Sequence, residues 1–382
     1  MIILGELYLF CMENIEKSLR LESLDVLRGA DMFFIMGGAG LFIALSDICP
    51  VPFFQAIAAQ MYHAEWNGLT HHDTIFPLFL FIAGISFPFS FAKQCKQGRS
   101  KFLIMKKVLL RSFKLILLGL VYNGLLQNGF EDLRYASVLG RIGIAWMLAA
   151  LLYIYTNTVI RIVLFFIIII GYWLLLVLIP APDNLGMGTF TMEGSLVGYI
   201  DRQFLPGRLY CGIHDPEGLL PTIPAVATAL IGVFVGEFIR IKENVLTNLK
   251  KVMWLLLVGI IFLFVGLLWD SCFPINKNLW TSSFVCVVGG YSMIVFAFFF
   301  LIVDVWKLRK WGFFFKVIGM NSITIYMAQY IIDFSYTSNI LFGFLFKGLP
   351  NSLHAFMGVI SYIIICWLFL YILYKKKIFL KV

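Results

Sequence analysis

Ten times along this chain the sequence runs apolar for about 20 residues, the length an α-helix needs to cross a hydrocarbon core of roughly 30 Å. The runs fall near residues 24–46, 73–92, 108–127, 136–155, 159–180, 217–239, 252–269, 279–303, 313–332 and 355–374. In lipid, backbone N–H and C=O groups must pair within their own segment, so runs of this length predict helices packed side by side. Charge density agrees: 13% of the 382 residues are charged, where a soluble domain carries about 25%. Lipid must therefore solvate most of the surface. The expected fold is all-α, a polytopic transmembrane helix bundle of about ten spans. It forms one domain over residues 24–374, between a lead at 1–23 and a basic tail at 375–382.

The Lys and Arg residues give an orientation. With the N-terminus cytoplasmic, 23 of the 30 fall in inside segments, among them Lys93 through Lys114, Arg240 to Lys251, Lys307 to Lys316 and the tail lysines Lys375, Lys376 and Lys377. The bias recurs at every inside loop and predicts cytoplasmic N- and C-termini. Because the basic residues sit between spans and form no single face, the net charge of +9 implies no nucleic-acid partner. The seven cysteines contain no CxxC pair, so neither a metal nor a redox motif is offered. Cys49, Cys211 and Cys272 fall outside, where at most one disulfide can form. The opening MIILGELYLFC is too short to span and lacks a basic lead. Met12 is the expected natural start.

Two outside segments are long, 47–72 and 181–216, and long loops in a compact protein tend to carry function. The run from Val159 to Leu178 is apolar enough to face lipid. The first span, with Asp25, Arg28, Asp31 and Gly37-Gly38-Ala39-Gly40, is expected inside the bundle.

The densest polar cluster, Tyr62 to Asp73, precedes the second span. With residues 55–67 helical, His63 and Asn67 lie one turn apart on one face, and the amide can orient an imidazole able to exchange protons near neutrality. The bland alternative is an interfacial histidine bonded to a loop carbonyl, with Trp66 as a membrane anchor. His71 and His72 are adjacent and point to opposite helix faces, which argues against a metal site. Asp73 is most simply an N-cap of the second span.

Asp25 and Arg28 can be an intrahelical ion pair. Equally, Arg28 can contact a phosphate while Asp25 holds it. Lys106, Lys107, Arg111 and Lys114 form an inside basic stripe that sets topology and can attract an anionic ligand. Asn276, Lys277 and Asn278 sit in a donor-rich outside turn, while Asn321, Ser322, Thr324, Tyr326 and Gln329 put polar groups into the ninth span. These features alone favour a transporter or flippase over an enzyme.

The same residues carry a resemblance. Ser23-Leu24-Asp25-Val26-Leu27-Arg28-Gly29, His63-Ala64-Glu65-Trp66-Asn67-Gly68-Leu69-Thr70 with Asp73, and Leu139-Gly140-Arg141-Ile142-Gly143 are its first blocks. Asp215-Pro216-Glu217-Gly218, Pro274 to Ser283 and Gly319-Met320-Asn321-Ser322 follow in order. Together they resemble the heparan-α-glucosaminide N-acetyltransferase family of transmembrane acyltransferases.

The resemblance implies transfer of an acetyl group from cytosolic acetyl-CoA to an amino sugar across the membrane, without a metal. For this chain it implies the bacterial inner membrane, with a homodimer among the family's habits. It places catalysis on His63. On that basis the chain's own polar residues are assigned: Asn67 to orient His63; Arg28, Arg111, Lys114, Asn321 and Ser322 to acetyl-CoA; and Asp73, Asp215, Asn276, Lys277 and Asn278 to the acceptor. One departure stands out: Met36 occupies the place of a first-span asparagine in the family enzyme.

Overall fold

Helices make up the architecture of the computed structural model, which describes residues 21–130, 132–183 and 188–380. The expected lead and Met12 lie outside these residues, apart from 21–23. The first span, α1 (Glu22–Ile48), is not straight. At Phe34–Gly38 it opens into one wide π-turn, where Gly37 adopts φ 125°. A Cβ at Gly37 would lie 2.9 Å from the Ile363 side chain, so both the backbone angle and the neighbouring helix require glycine.

A short helix α2 (Pro52–Ala59) follows, then α3 (His71–Lys96), α4 (Lys101–Tyr122), α5 (Val138–Tyr155) and α6 (Thr158–Leu178). The second long loop holds α7 (Leu196–Phe204). The remaining helices are α8 (Thr222–Ile239), α9 (Asn248–Trp269), α10 (Ser282–Val305), α11 (Phe313–Met320), α12 (Ser322–Ile331), α13 (Phe334–Phe346) and α14 (Asn351–Lys375).

Eight of the described helices are long and apolar enough to cross a membrane. The basic helix α4 and the interrupted pair α11–α12 bring the count to the ten expected. The interruption falls at Asn321 (φ −129°, ψ 31°). Helix α13 was not expected: its 13 residues rise only about 20 Å at 1.5 Å per residue.

The inner helices are α8, 72% buried over its apolar window, and α3 and α10, each 61%. Helices α6, α9 and α14 present most of their surface outward, at 28%, 22% and 22%, as the apolar run at 159–178 predicts. The first span is only 39% buried, which corrects its expected enclosure. Its first half is the packed half. A Cβ on Gly29 would stand 1.7 Å from the Phe315 carbonyl oxygen, and one on Gly319 would stand 1.8 Å from that of Asp25. The two backbones therefore touch. Cys49, Cys211 and Cys272 are unpaired thiols.

Candidate active site

Helix α3 begins at a carboxylate. Asp73, in its first turn and 2% exposed, accepts through Oδ2 from the Thr70 backbone N–H (3.3 Å), the Thr70 hydroxyl (3.0 Å) and the Ala64 N–H (3.1 Å). A negative charge there is favoured by the helix dipole. Thr70 is the N-cap, not Asp73 as the sequence suggested. The second carboxylate oxygen is thereby free to act elsewhere: Oδ1 lies 2.7 Å from His63 Nδ1 and 3.3 Å from Lys277 Nζ. Lys277 Nζ is also 3.0 Å from His63 Nδ1.

With Nδ1 donating to Asp73, the other ring nitrogen of His63 is left as a proton acceptor. Among the described residues no group bonds Nε2. An imidazole held by a buried carboxylate, with its far nitrogen open, is the geometry of a general base.

Asn67 does not orient this ring. Helix α2 ends at Ala59, so residues 60–70 are loop and the one-turn spacing does not exist. Gln60 takes the next helix instead, its backbone and side-chain oxygens accepting from the N–H groups of His72 (3.0 Å) and His71 (3.1 Å). Asn67 Oδ1 accepts from Asn276 Nδ2 at 3.1 Å.

Asn276 is committed to the protein on both sides of its amide. Nδ2 also donates to the Trp66 carbonyl (2.9 Å) and Oδ1 accepts from Leu279 N–H (2.8 Å). This fully buried amide ties the His63 loop to the turn that presents Lys277 and does not line the cavity. The turn closes on Trp280, a fully buried residue at φ 50°. A left-handed tryptophan costs about 1–3 kcal/mol. Edge contacts to Phe76 and Phe284, 5.0 and 5.1 Å between centroids, and the Arg141 guanidinium 5.2 Å over its ring hold it there.

His63, Asp73, Lys277 and Asn278 line one end of a cavity of about 680 Å³. It follows α3 from His72 to Ala83 and α4 from Tyr122 to Arg111, a distance of roughly 16 Å along either helix. Arg28, Arg111, Asn321 and Ser322 line it too. Arg28 sits 3.7 Å from Asp25 and reaches Ser86 at 3.5 Å, so the ion pair and the cavity position coexist. Arg111 stacks over Trp146 at 4.3 Å, and its buried Nε has no hydrogen-bond partner among the described residues. At the break before α12, Asn321 Nδ2 donates to the Ile378 carbonyl at 3.3 Å, and Leu380 of the tail also lines the cavity.

Lys114 is corrected: it is exposed and does not line the cavity. Asp215 is corrected as well. It is fully buried and outside the lining, receiving Arg134 Nε (2.8 Å), Arg134 Nη2 (2.6 Å), Tyr210 N–H (3.1 Å) and Glu217 N–H (2.9 Å). Burial opposes its charge, but Arg134 and these N–H groups outweigh burial and hold the carboxyl below the usual range.

Arg134, Glu217 and Tyr122, which the sequence did not single out, line the cavity with Tyr326, one of the ninth-span polar residues. Arg134 looked like an ordinary loop charge, and Glu217 lay unremarked within the Asp215-Pro216-Glu217-Gly218 block. Met36, at the departure from the family pattern, is fully buried in an apolar cluster with Ile363 and Cys366.

No family model matches the chain. It is 28% identical to human heparan-alpha-glucosaminide N-acetyltransferase over 95% of its length and 60% of that protein's. To the mouse protein of the same name it is also 28% identical, over 84% of this chain and 56% of the mouse sequence. The chain thus spans about 60% of the length of the human relative. Similarity of this extent supports a distant family relationship between this chain and the heparan-alpha-glucosaminide N-acetyltransferases.

Proposed function

We propose that this chain transfers an acetyl group from acetyl-CoA on one side of a membrane to the amino group of a glucosamine-like sugar on the other. The observation that carries the reading is the single cavity that joins a carboxylate-held histidine at one end to two arginines at the other. The named activity of the two relatives supports it. The Lys and Arg distribution supports an orientation with the Arg28 end in the cytoplasm and the His63 end on the far side of the membrane, which on this reading is a bacterial inner membrane.

The residues at the Arg28 end suit an anionic co-substrate. Arg28 and the unpartnered Nε of Arg111 offer guanidinium donors matched to phosphate. Ser322, the first residue of α12, lines the same space. When bound, acetyl-CoA would supply an electrophilic thioester carbonyl and a thiol leaving group.

At the other end His63 Nε2 takes a proton from the acceptor ammonium; the freed amine attacks the thioester carbonyl and, as the C–S bond breaks, loses its second proton to water. Asp73 stabilises the resulting imidazolium through Nδ1–H, and the proton on Nε2 is then available to the departing sulfur. Lys277 locks Asp73 in place. Removing such a base lowers turnover by about 10²–10⁴-fold. The test is purified protein with radiolabelled acetyl-CoA and glucosamine. His63→Ala should bind acetyl-CoA as wild type does and lose turnover on that scale. Wild-type protein that consumes no acetyl-CoA with any amino sugar would favour a transporter instead.

A further inference from the structure

We propose that Glu217 anchors the acceptor as an ammonium ion, in a subsite whose wall is the Tyr122–Tyr326 stack. The proposal rests on the acetyl-transfer reading and deepens it by naming what recognises the acceptor.

Charge balance is the first ground. Arg134 is already matched by Asp215, which takes it through two hydrogen bonds. Its contact with Glu217 therefore leaves the three groups with one negative charge in excess. Across the cavity Lys277 and Asp73 cancel. Behind these groups lie the buried Arg141 and Asp201, one of each sign. Glu65, also in the lining, adds a further negative charge. The His63 end is thus anionic and the Arg28 end cationic, so ligands of opposite sign sort to opposite ends.

Geometry is the second ground. The Glu217 side chain is only 9% exposed, yet it lines the cavity. Oε2 accepts from Arg134, and among the described residues nothing bonds Oε1. A carboxylate oxygen that opens on the cavity and has no donor there fits a cationic N–H group. Its turn is fixed from behind: Arg141 donates to the Gly218 carbonyl at 3.1 Å, and Asp201 accepts from Leu219 N–H at 2.9 Å.

Tyr122 and Tyr326 stack with centroids 4.5 Å apart, and both line the cavity. They offer an apolar wall to the C–H surface of a sugar ring. The occupant these features describe is a pyranose with a free ammonium group. Neutral and N-acetylated sugars lack the charge that Glu217 needs.

The experiment measures Glu217→Gln against wild type with glucosamine and acetyl-CoA. Loss of a charged hydrogen bond should raise KM for glucosamine by about tenfold or more, with KM for acetyl-CoA unchanged, and Glu217→Asp should recover part of the loss. An unchanged KM for glucosamine in Glu217→Gln overturns the proposal. Direct calorimetric binding to wild type separates this proposal from the activity and covers a variant that fails to fold. Glucosamine should bind about tenfold or more tighter than glucose or N-acetylglucosamine. Equal binding of the three overturns the subsite, whether or not the protein transfers acetyl groups. Preferential glucosamine binding without transfer would retain the subsite and remove the enzyme reading.

Discussion

Asp73→Asn separates the shape of the His63 site from its charge. The amide keeps an oxygen for the α3 N-terminus, removes the negative charge and turns an NH2 donor where His63 and Lys277 need an acceptor. Two partners depend on that charge. Lys277, 17% exposed, lies 3.3 Å from Oδ1, and at an effective dielectric of about 20 the attraction at this separation is roughly 5 kcal/mol. Part of it offsets the desolvation of both groups, and breaking one side of a mostly buried pair costs about 3 kcal/mol.

The other partner is His63, whose protonated form has no other carboxylate within hydrogen-bond distance. Turnover should fall by about 10²–10⁴-fold, with KM for acetyl-CoA unchanged because Arg28 and Arg111 lie at the far end. Thermal unfolding in detergent and acetyl transfer to glucosamine are measured on the same preparation. Adding Lys277→Met should return most of the stability, since no unpaired ammonium remains, and none of the turnover. A single variant with near wild-type rate, or a double variant that regains activity, would refute the role given to Asp73.

Asn67→Ala should cost about 1 kcal/mol of stability for one neutral hydrogen bond and change turnover by no more than a few-fold. A loss comparable to that of His63→Ala would restore the sequence-based assignment. Arg111→Ala should raise KM for acetyl-CoA and leave KM for glucosamine unchanged, while Lys114→Ala should change neither; equal effects of the two would contradict the placement of Lys114. Burial lifts Asp201 to about 6 and lowers His214 to about 4, the two lying 3.9 Å apart. The raised Asp201 contributes stability that is present at low pH and lost as pH rises from 3.8 through 6. The depressed His214 contributes stability that is present above 6.5 and lost as pH falls through 4. These opposing slopes nearly cancel, so Asp201→Asn should make the protein acid-sensitive by roughly 3 kcal/mol between pH 6.5 and 4. An unchanged pH profile of thermal stability would contradict this.

The spans were legible because their signal is length and apolarity, which lipid imposes locally. Helix α13 escaped because its 13 residues fall below that length. The kink at Gly37 escaped because Ile363, more than 300 positions away, helps to set it. In the site, His63 was singled out by the family resemblance and Lys277 and Arg28 by residue type and context, and all three line the cavity. Asn67 was given the wrong partner because the helix was carried past Ala59, where Gln60 turns to bond His71 and His72 instead. Glu217 lies 154 positions from His63 in sequence, and only the fold brings both to one cavity.

Acetyl transfer across a sealed membrane tests the central claim most directly. Protein is reconstituted into vesicles with glucosamine enclosed and radiolabelled acetyl-CoA supplied outside. The account predicts labelled N-acetylglucosamine retained inside wild-type vesicles and none above background with His63→Ala. Label that enters the sugar only when both substrates share one side, or that appears only as free acetate, would contradict it.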